Sequence, residues 1–210
     1  MREFILLGVL AVTYLMVIAK RVPALIRGFR YQSFFIFLIT LAAGYAERQV
    51  DLYAVALLIL ALKVFIIPRG LNLIAKKINV DENLGLFVSA QVSLIAALAL
   101  TYCSMVFSET LGFGRDYRLA AVTVALSVIF IGAFLMISRM KAFTQVVGLL
   151  VMENGIFLFA SFVSGGMPFF VEIAVFLDVF VSVIIMGLFI YRVNKLFTHI
   201  DVSKLSRLKG

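Results

Sequence analysis

The chain has 210 residues, of which 64% are hydrophobic and 14% charged, with a formal net charge of +8. Soluble domains average roughly 45–50% apolar and about 25% charged residues, and a chain of this size has too little interior to hide the excess, so its solvent must be lipid. The positive charge then reads as basic loops facing the cytoplasm and anionic headgroups, and nucleic-acid binding is set aside because no basic stripe interleaves with aromatics on a soluble face.

A membrane span needs about 20 mainly apolar residues, with roughly 17–25 as the range, and in lipid it must be helical to satisfy its backbone. The opening MREFILLGVLAVTYLMVIAK begins like a signal peptide. Arg2 is offset by Glu3, however, and no small-residue cleavage site precedes Lys20, so it reads as a retained first helix near Phe4–Ala19. The second span is expected near Ser33–Ala46 and the third near Leu52–Ile67, ending at Pro68. The fourth is expected near Leu84–Phe107. Ser108–Arg118 follows as the longest outward loop, with Gly112 and Gly114 as breakers. The fifth and sixth spans fall near Leu119–Ile137 and Ala142–Val163. A tight turn, Ser164–Gly165–Gly166–Met167, leads to the seventh near Pro168–Tyr191, with Pro168 well placed to open a helix. The expected fold is an all-α polytopic integral membrane bundle of about seven transmembrane helices. It divides into a four-helix N-terminal region, 1–117, and a three-helix region with a basic tail, 118–210.

Loop charges set the expected orientation. Lys20, Arg21, Arg27, Arg30, Arg69, Lys76, Lys77, Arg139 and Lys141 fall on one side, joined by Arg192, Lys195, Lys204, Arg207 and Lys209 of the tail. The other side holds Arg2, Arg48, Arg115 and Arg118. The positive-inside rule then places the N-terminus outside and the C-terminus in the cytoplasm.

Cys103 is the single cysteine and His199 the single histidine. Disulfides, iron–sulfur clusters and zinc sites need several such ligands, so no metal or cofactor is expected on this chain and any redox chemistry belongs to a partner. Cys103 reads as a small buried hydrophobe, and His199 as an interface residue. The tail RVNKLFTHIDVSKLSRLKG is basic with apolar residues interspersed. It suits the membrane surface or a peripheral subunit.

Ionisable groups inside a span are costly, by roughly 2.5–3.5 kcal/mol on insertion scales, and are functional candidates by default. Glu153 lies near the centre of the sixth span, in GLLVMENGIFLF, and Asp178 near the centre of the seventh, in FLDVFVSVII. Both are equally far from the Gly165–Gly166 turn, roughly 19 Å along each helix. Two acids at one depth on adjacent helices can exchange a proton through a water or a polar neighbour. The competing reading makes them packing acids, protonated or paired with a base on a partner. Glu172, in the first turn of the seventh helix, complements the helix dipole or serves proton entry. Lys63 is the one base within a predicted span. It either snorkels to water past Pro68 or joins a buried ionic relay. Asn154 reads as interhelical glue, Gln91 and Gln145 as glue or water anchors, and Arg139 with Lys141 as a mainly topological pair.

The runs VVGLLVMENGIFLFA, SGGMPFFVEIAVFLDVFV and IYRVNKLFTHIDVSKLSRLKG resemble hydrogenase-4 component E, the HyfE-type membrane subunit of formate hydrogenlyase and related group-four nickel–iron hydrogenases. The resemblance spans the chain and is most specific from about Arg139 onward. That family is in turn similar, over its last three helices, to NuoK, a small subunit of respiratory complex I. NuoK-type chains carry an acid just after a Gly-Leu pair in their second helix. Here Gly148–Leu149 is followed by Leu150, and the carboxyl comes one turn later as Glu153, on a similar face. The third-helix acid corresponds to Asp178.

The resemblance implies a noncatalytic subunit in the membrane arm of a complex-I-like hydrogenase, contributing to proton translocation coupled to electron transfer elsewhere. Its implied proton-relay residues are Glu153, Asp178, Lys63 and Glu172. Its implied partners are antiporter-like and NuoH-like membrane subunits, a peripheral nickel–iron hydrogenase module and the lipid bilayer. Its implied location is the inner membrane of a bacterium or archaeon. Two other readings compete: a structural anchor that moves no ions, and a stand-alone secondary transporter, although no internal repeat of the kind such transporters show is evident.

Overall fold

A computed structural model describes residues 2–77, 88–112, 117–139 and 141–163. They are helical, with no β-strand among the described residues. Helix α1 spans Arg2–Val17, α2 Val22–Glu47 and α3 Val50–Ile59. A π-helical turn, Leu60–Ile66, continues α3 directly into α4, Ile67–Lys77. Then follow α5 (Ala90–Thr110), α6 (Tyr117–Ser138) and α7 (Ala142–Val163).

Five stretches are long and apolar enough to cross a membrane: Val22–Glu47, Val50–Lys76, Ala90–Thr110, Tyr117–Ser138 and Phe143–Val163. Helix α1 has 16 residues, just below the usual spanning length. The expected seventh span lies outside the described residues.

The boundaries differ from expectation for physical reasons. Helix α2 begins eleven residues before Ser33, because Pro23 sits in its first turn, where its missing N–H costs nothing. Arg27 and Arg30 therefore lie on a helix and not in a loop. A left-handed Arg48 (φ 53°) ends α2 and permits a two-residue turn into α3. The third span runs past Pro68 to Lys77, since the π-helical turn absorbs the proline. The loop expected over Ser108–Arg118 is shorter: helix persists to Thr110 and resumes at Tyr117, while Gly112 does break the chain, at φ +72°.

The helices form a bundle whose most extensive pairing is α6 with α7. Helix α6 also packs on α1 and α5, and α7 on α2. The core joins Leu6, Val9, Phe29, Ile36, Ile131, Leu135, Val151 and Leu158. Apolar side chains also cover the outside, among them Phe4, Leu7, Leu57, Ile95, Tyr102 and Ile137. A water-facing surface would not carry such continuous apolar area, whereas a lipid-facing one does. Cys103 belongs to that outer face of α5 and is exposed, contrary to its reading as a buried hydrophobe.

Arginines mark the bundle ends. Arg2 donates to the Ala42 carbonyl at 2.8 Å, so α1 starts level with the end of α2. Around it, Thr40, Glu47, Gln49, Tyr117 and Arg118 line a cavity of about 190 Å³. At the opposite end Arg139 meets the close of α1. Arg2 and Arg118 of one charge set thus lie at one end of the bundle and Arg139 of the other set at the opposite end.

Candidate functional site

The third span carries its irregularity where it carries its charge. Pro68 has no N–H to give, and its ring crowds the carbonyl four residues back, at Val64. The backbone answers by widening: the Ile67 N–H donates to Leu62, five residues earlier. Such π-turns are uncommon and cluster at functional sites. Lys63 lies at the middle of this one.

Lys63 is also the midpoint of Val50–Lys76, with thirteen residues on either side. It is 2% exposed, and its ammonium turns inward to donate to Asn154 Oδ1 at 2.7 Å. Snorkelling to the helix end is therefore excluded, and the expectation of a near-terminal lysine is corrected: the helix continues through Pro68. Glu153 is likewise the midpoint of its span, Phe143–Val163, with ten residues on either side, and is buried. One base and one acid thus sit at mid-length of two apolar helices, and the residue next to the acid holds the base.

Asn154 is the hub of a longer chain of bonds. Its Nδ2 donates to Gln32 Oε1 at 2.9 Å and to Ser33 Oγ at 3.2 Å. Gln32 Nε2 donates to Thr13 Oγ1 at 2.7 Å. The Thr13 hydroxyl donates to the Val9 carbonyl at 2.7 Å. Four helical segments are joined: the π-turn, α7, α2 and α1.

Lys63 dictates the direction of this chain. An ammonium has three donors and no acceptor, so Asn154 must present its carbonyl oxygen to it. The amide nitrogen then points to Gln32, which must accept with its own oxygen and donate onward to Thr13. Each link follows from the one before, and every bond is oriented away from Lys63. Aligned bonds of this kind polarise one another in a low-dielectric interior. An amide passes on a proton only by becoming an imidic acid, so these links hold Lys63 in place and do not relay protons.

Of the predicted site residues, Lys63 and Glu153 are both buried at the midpoints of their spans, linked through Asn154, which neighbours Glu153 in sequence and accepts from Lys63; Asp178 and Glu172 lie outside the described residues, as does His199. Asn154 acts as the interhelical link expected of it. Gln32, Ser33 and Thr13 were not foreseen. The Gln32–Ser33 pair inside the aromatic run YQSFFIF was the available signal, but it fell at the border of a span drawn too short. Thr13 gave no signal, since a lone threonine in a helix usually bonds its own backbone. Gln91 lies in the first turn of α5 and is exposed, while Gln145 donates to the Arg139 carbonyl at 2.9 Å.

Arg139 is more than topological. It is 2% exposed, and its guanidinium donates to the carbonyls of Met16, Val17 and Ala19 at 3.2, 2.9 and 3.4 Å. These are carbonyls at the C-terminal end of α1, where a cation also complements the negative end of the helix dipole. Burial pulls its pKa below the usual guanidinium value, down to about 10, so it remains charged at neutral pH.

The fold and site define an all-helical chain with helices able to cross a membrane and a charged, amide-linked centre. No protein-family model matches the sequence, and no solved structure matches it. The chain is similar to a protein of Mycobacterium tuberculosis (strain ATCC 25618 / H37Rv) named uncharacterized protein Rv0085. The two are 26% identical over 204 residues, covering 96% of this chain and 93% of that one.

Proposed function

We propose that this chain is a noncatalytic inner-membrane subunit of a complex-I-like hydrogenase of the formate hydrogenlyase type. It contributes to proton translocation while partner subunits transfer electrons. The hydrogenase assignment rests on the sequence resemblance to hydrogenase-4 component E. The proton role rests on one observation: Lys63 and Glu153, a base and an acid, are buried at the midpoints of two apolar spans. Ionisable groups at that depth are rare outside ion and proton paths. The amide chain from Asn154 to Thr13 fixes the lysine while leaving proton exchange to the ionisable pair.

One observation favours the anchor reading instead. The amide links around Lys63 join four helical segments, as a static fastening would. Two experiments separate these readings. Copurification in mild detergent tests the complex: hydrogenase and antiporter-like chains should accompany this one, and a chain isolated alone defeats the assignment. Glu153→Gln then tests the relay in the assembled complex. Assembly should survive while protons moved per electron fall. Undiminished pumping with intact assembly leaves only the anchor.

A further inference from the structure

A second polar locus lies on the outer side of the same π-turn, toward the basic residues of α2 and α4. There α2 and the π-turn–α4 segment diverge and leave a cleft of about 60 Å³. Arg27 and Arg30 line it from α2, and Arg69 and Asn72 from α4, with Ile26, Val64, Phe65 and Pro68 as its floor and walls. No carboxylate lines it among the described residues. The three arginines are exposed.

Two of these cations share one ring. The Arg30 guanidinium carbon is 5.7 Å from the Phe65 centroid, and that of Arg69 is 5.2 Å from it. Like charges would ordinarily swing apart in water. Stacking on a common aromatic holds each within range of the ring's negative face and keeps both beside the cleft. Arg27 is tied as well, its Nε donating to the Pro23 carbonyl at 3.3 Å. The guanidiniums thus converge with donors to spare and no anion supplied by the described chain. A planar guanidinium fork matches the oxygens of a phosphate.

The surroundings indicate what bears that phosphate. Exposed apolar side chains continue from the cleft along the helices: Phe34, one turn beyond Arg30, and Phe65 with Ile66, one turn before Arg69. Leu73 is exposed beside Asn72. Helix α4, the last turns of the third span, places Leu71 inward and Arg69, Asn72 and Lys76 outward, where long basic side chains can reach toward the headgroups. A soluble phosphate has no use for the flanking apolar track, whereas an acyl chain does.

We propose that the cleft between α2 and α4 binds an anionic phospholipid, its phosphate held by Arg27, Arg30 and Arg69 and an acyl chain lying along Phe34 and Ile66. This site is independent of the hydrogenase reading and of the Lys63 centre. Basic pockets between membrane helices on the cytoplasmic side select anionic headgroups in this way.

The test is native mass spectrometry of the full chain, purified in mild detergent and offered phosphatidylglycerol or phosphatidylcholine. Phosphatidylglycerol should be retained, one per chain, over phosphatidylcholine. The exposed pair Arg30→Gln/Arg69→Gln should lose that retention by roughly 25-fold, each basic residue near an anionic surface contributing about fivefold. Arg48→Gln/Arg118→Gln, which removes the same charge from the opposite end, should leave it unchanged. Equal retention of the two lipids, or equal loss in both double variants, overturns the proposal, since either reduces the effect to net charge or detergent. Displacement of phosphatidylglycerol by inorganic phosphate at constant ionic strength overturns the lipid assignment in favour of a soluble phosphate.

Discussion

Helix α7 is held on two sides by opposite means. Toward α6 it presents glycine: a Cβ built on Gly155 would lie 2.6 Å from the Ile129 amide nitrogen, and one on Gly148 would lie 2.8 Å from that of Met136. Gly132 of α6 answers them, since a Cβ there would come within 2.5 Å of the Met152 nitrogen. Backbone rests on backbone, and dispersion between close surfaces holds the pair. Toward α2 and the π-turn the same helix presents Asn154, and long polar side chains bridge the gap. Asn154 and Gly155 are adjacent, so the glycine contact fixes the direction in which the amide points. A hairpin with no spare volume can hold a polar centre steady, and the adaptable parts (a widened helical turn and a lysine side chain) are confined to the other side.

The largest effect should come from adding bulk to the hairpin. Gly132→Val should destabilise by about 3 kcal/mol or more, because backbone cannot yield as a side chain can. Gly8→Ala offers the contrast: its Cβ would meet the Phe35 ring at 3.0 Å, and a ring can shift. Its cost should stay within about 1 kcal/mol. Thermal unfolding of both variants in detergent checks this. Equal losses would mean that the α6–α7 contact is no tighter than an ordinary helix packing.

The next effect should come from the polar side. Asn154→Leu removes the acceptor seen by Lys63 and the donor seen by Gln32, at an expected cost of about 2 kcal/mol, since bonds to charged groups contribute roughly 1.5–3 kcal/mol. Lys63→Met should cost less, because it withdraws the charge along with the bond. A double-mutant cycle over the two should return a coupling of about 1–2 kcal/mol, near the upper end for interhelical bonds in membranes. Additive losses would dissolve the link between π-turn and α7, and with it the idea that the amide chain serves the lysine.

The two regions were unequally legible in the sequence. Apolar runs marked α6 and α7 within two residues, since length and hydropathy are local properties, whereas α5 begins at Ala90, six residues after the expected Leu84. The midpoint position of Glu153 followed from the same count. Lys63 was misplaced because Pro68 signals a helix end by its local chemistry, whereas the chain bridges it by a π-turn. Gln32 and Thr13 escaped for a different reason. They are 122 and 141 residues from Asn154, and pattern within a segment carries no record of which helix faces which. The glycines at 132, 148 and 155 could be read as helix-compatible but not as a matched set, because their partner is backbone.

Arg139 joins the two regions and should give the smallest effect. It stands at the turn of the glycine hairpin and holds the last carbonyls of α1, the helix that ends the polar chain at Thr13. Arg139→Met loses those bonds but also relieves the burial of a cation, so the net destabilisation should be about 1 kcal/mol. Its pH dependence follows from burial, which lowers the folded pKa to about 10, below its ordinary value in an unfolded chain. Between those values the unfolded chain holds the proton more tightly than the folded chain, so this group's contribution rises with pH there. Below about pH 10 both states are charged and the contribution is constant. The stability difference between Arg139→Met and the parent chain should therefore be flat from about pH 6 to about pH 9 in detergent melts. A difference that titrates near neutrality would place another ionising group against Arg139, and the α1 terminus would then be held by an ion pair instead of by carbonyls alone.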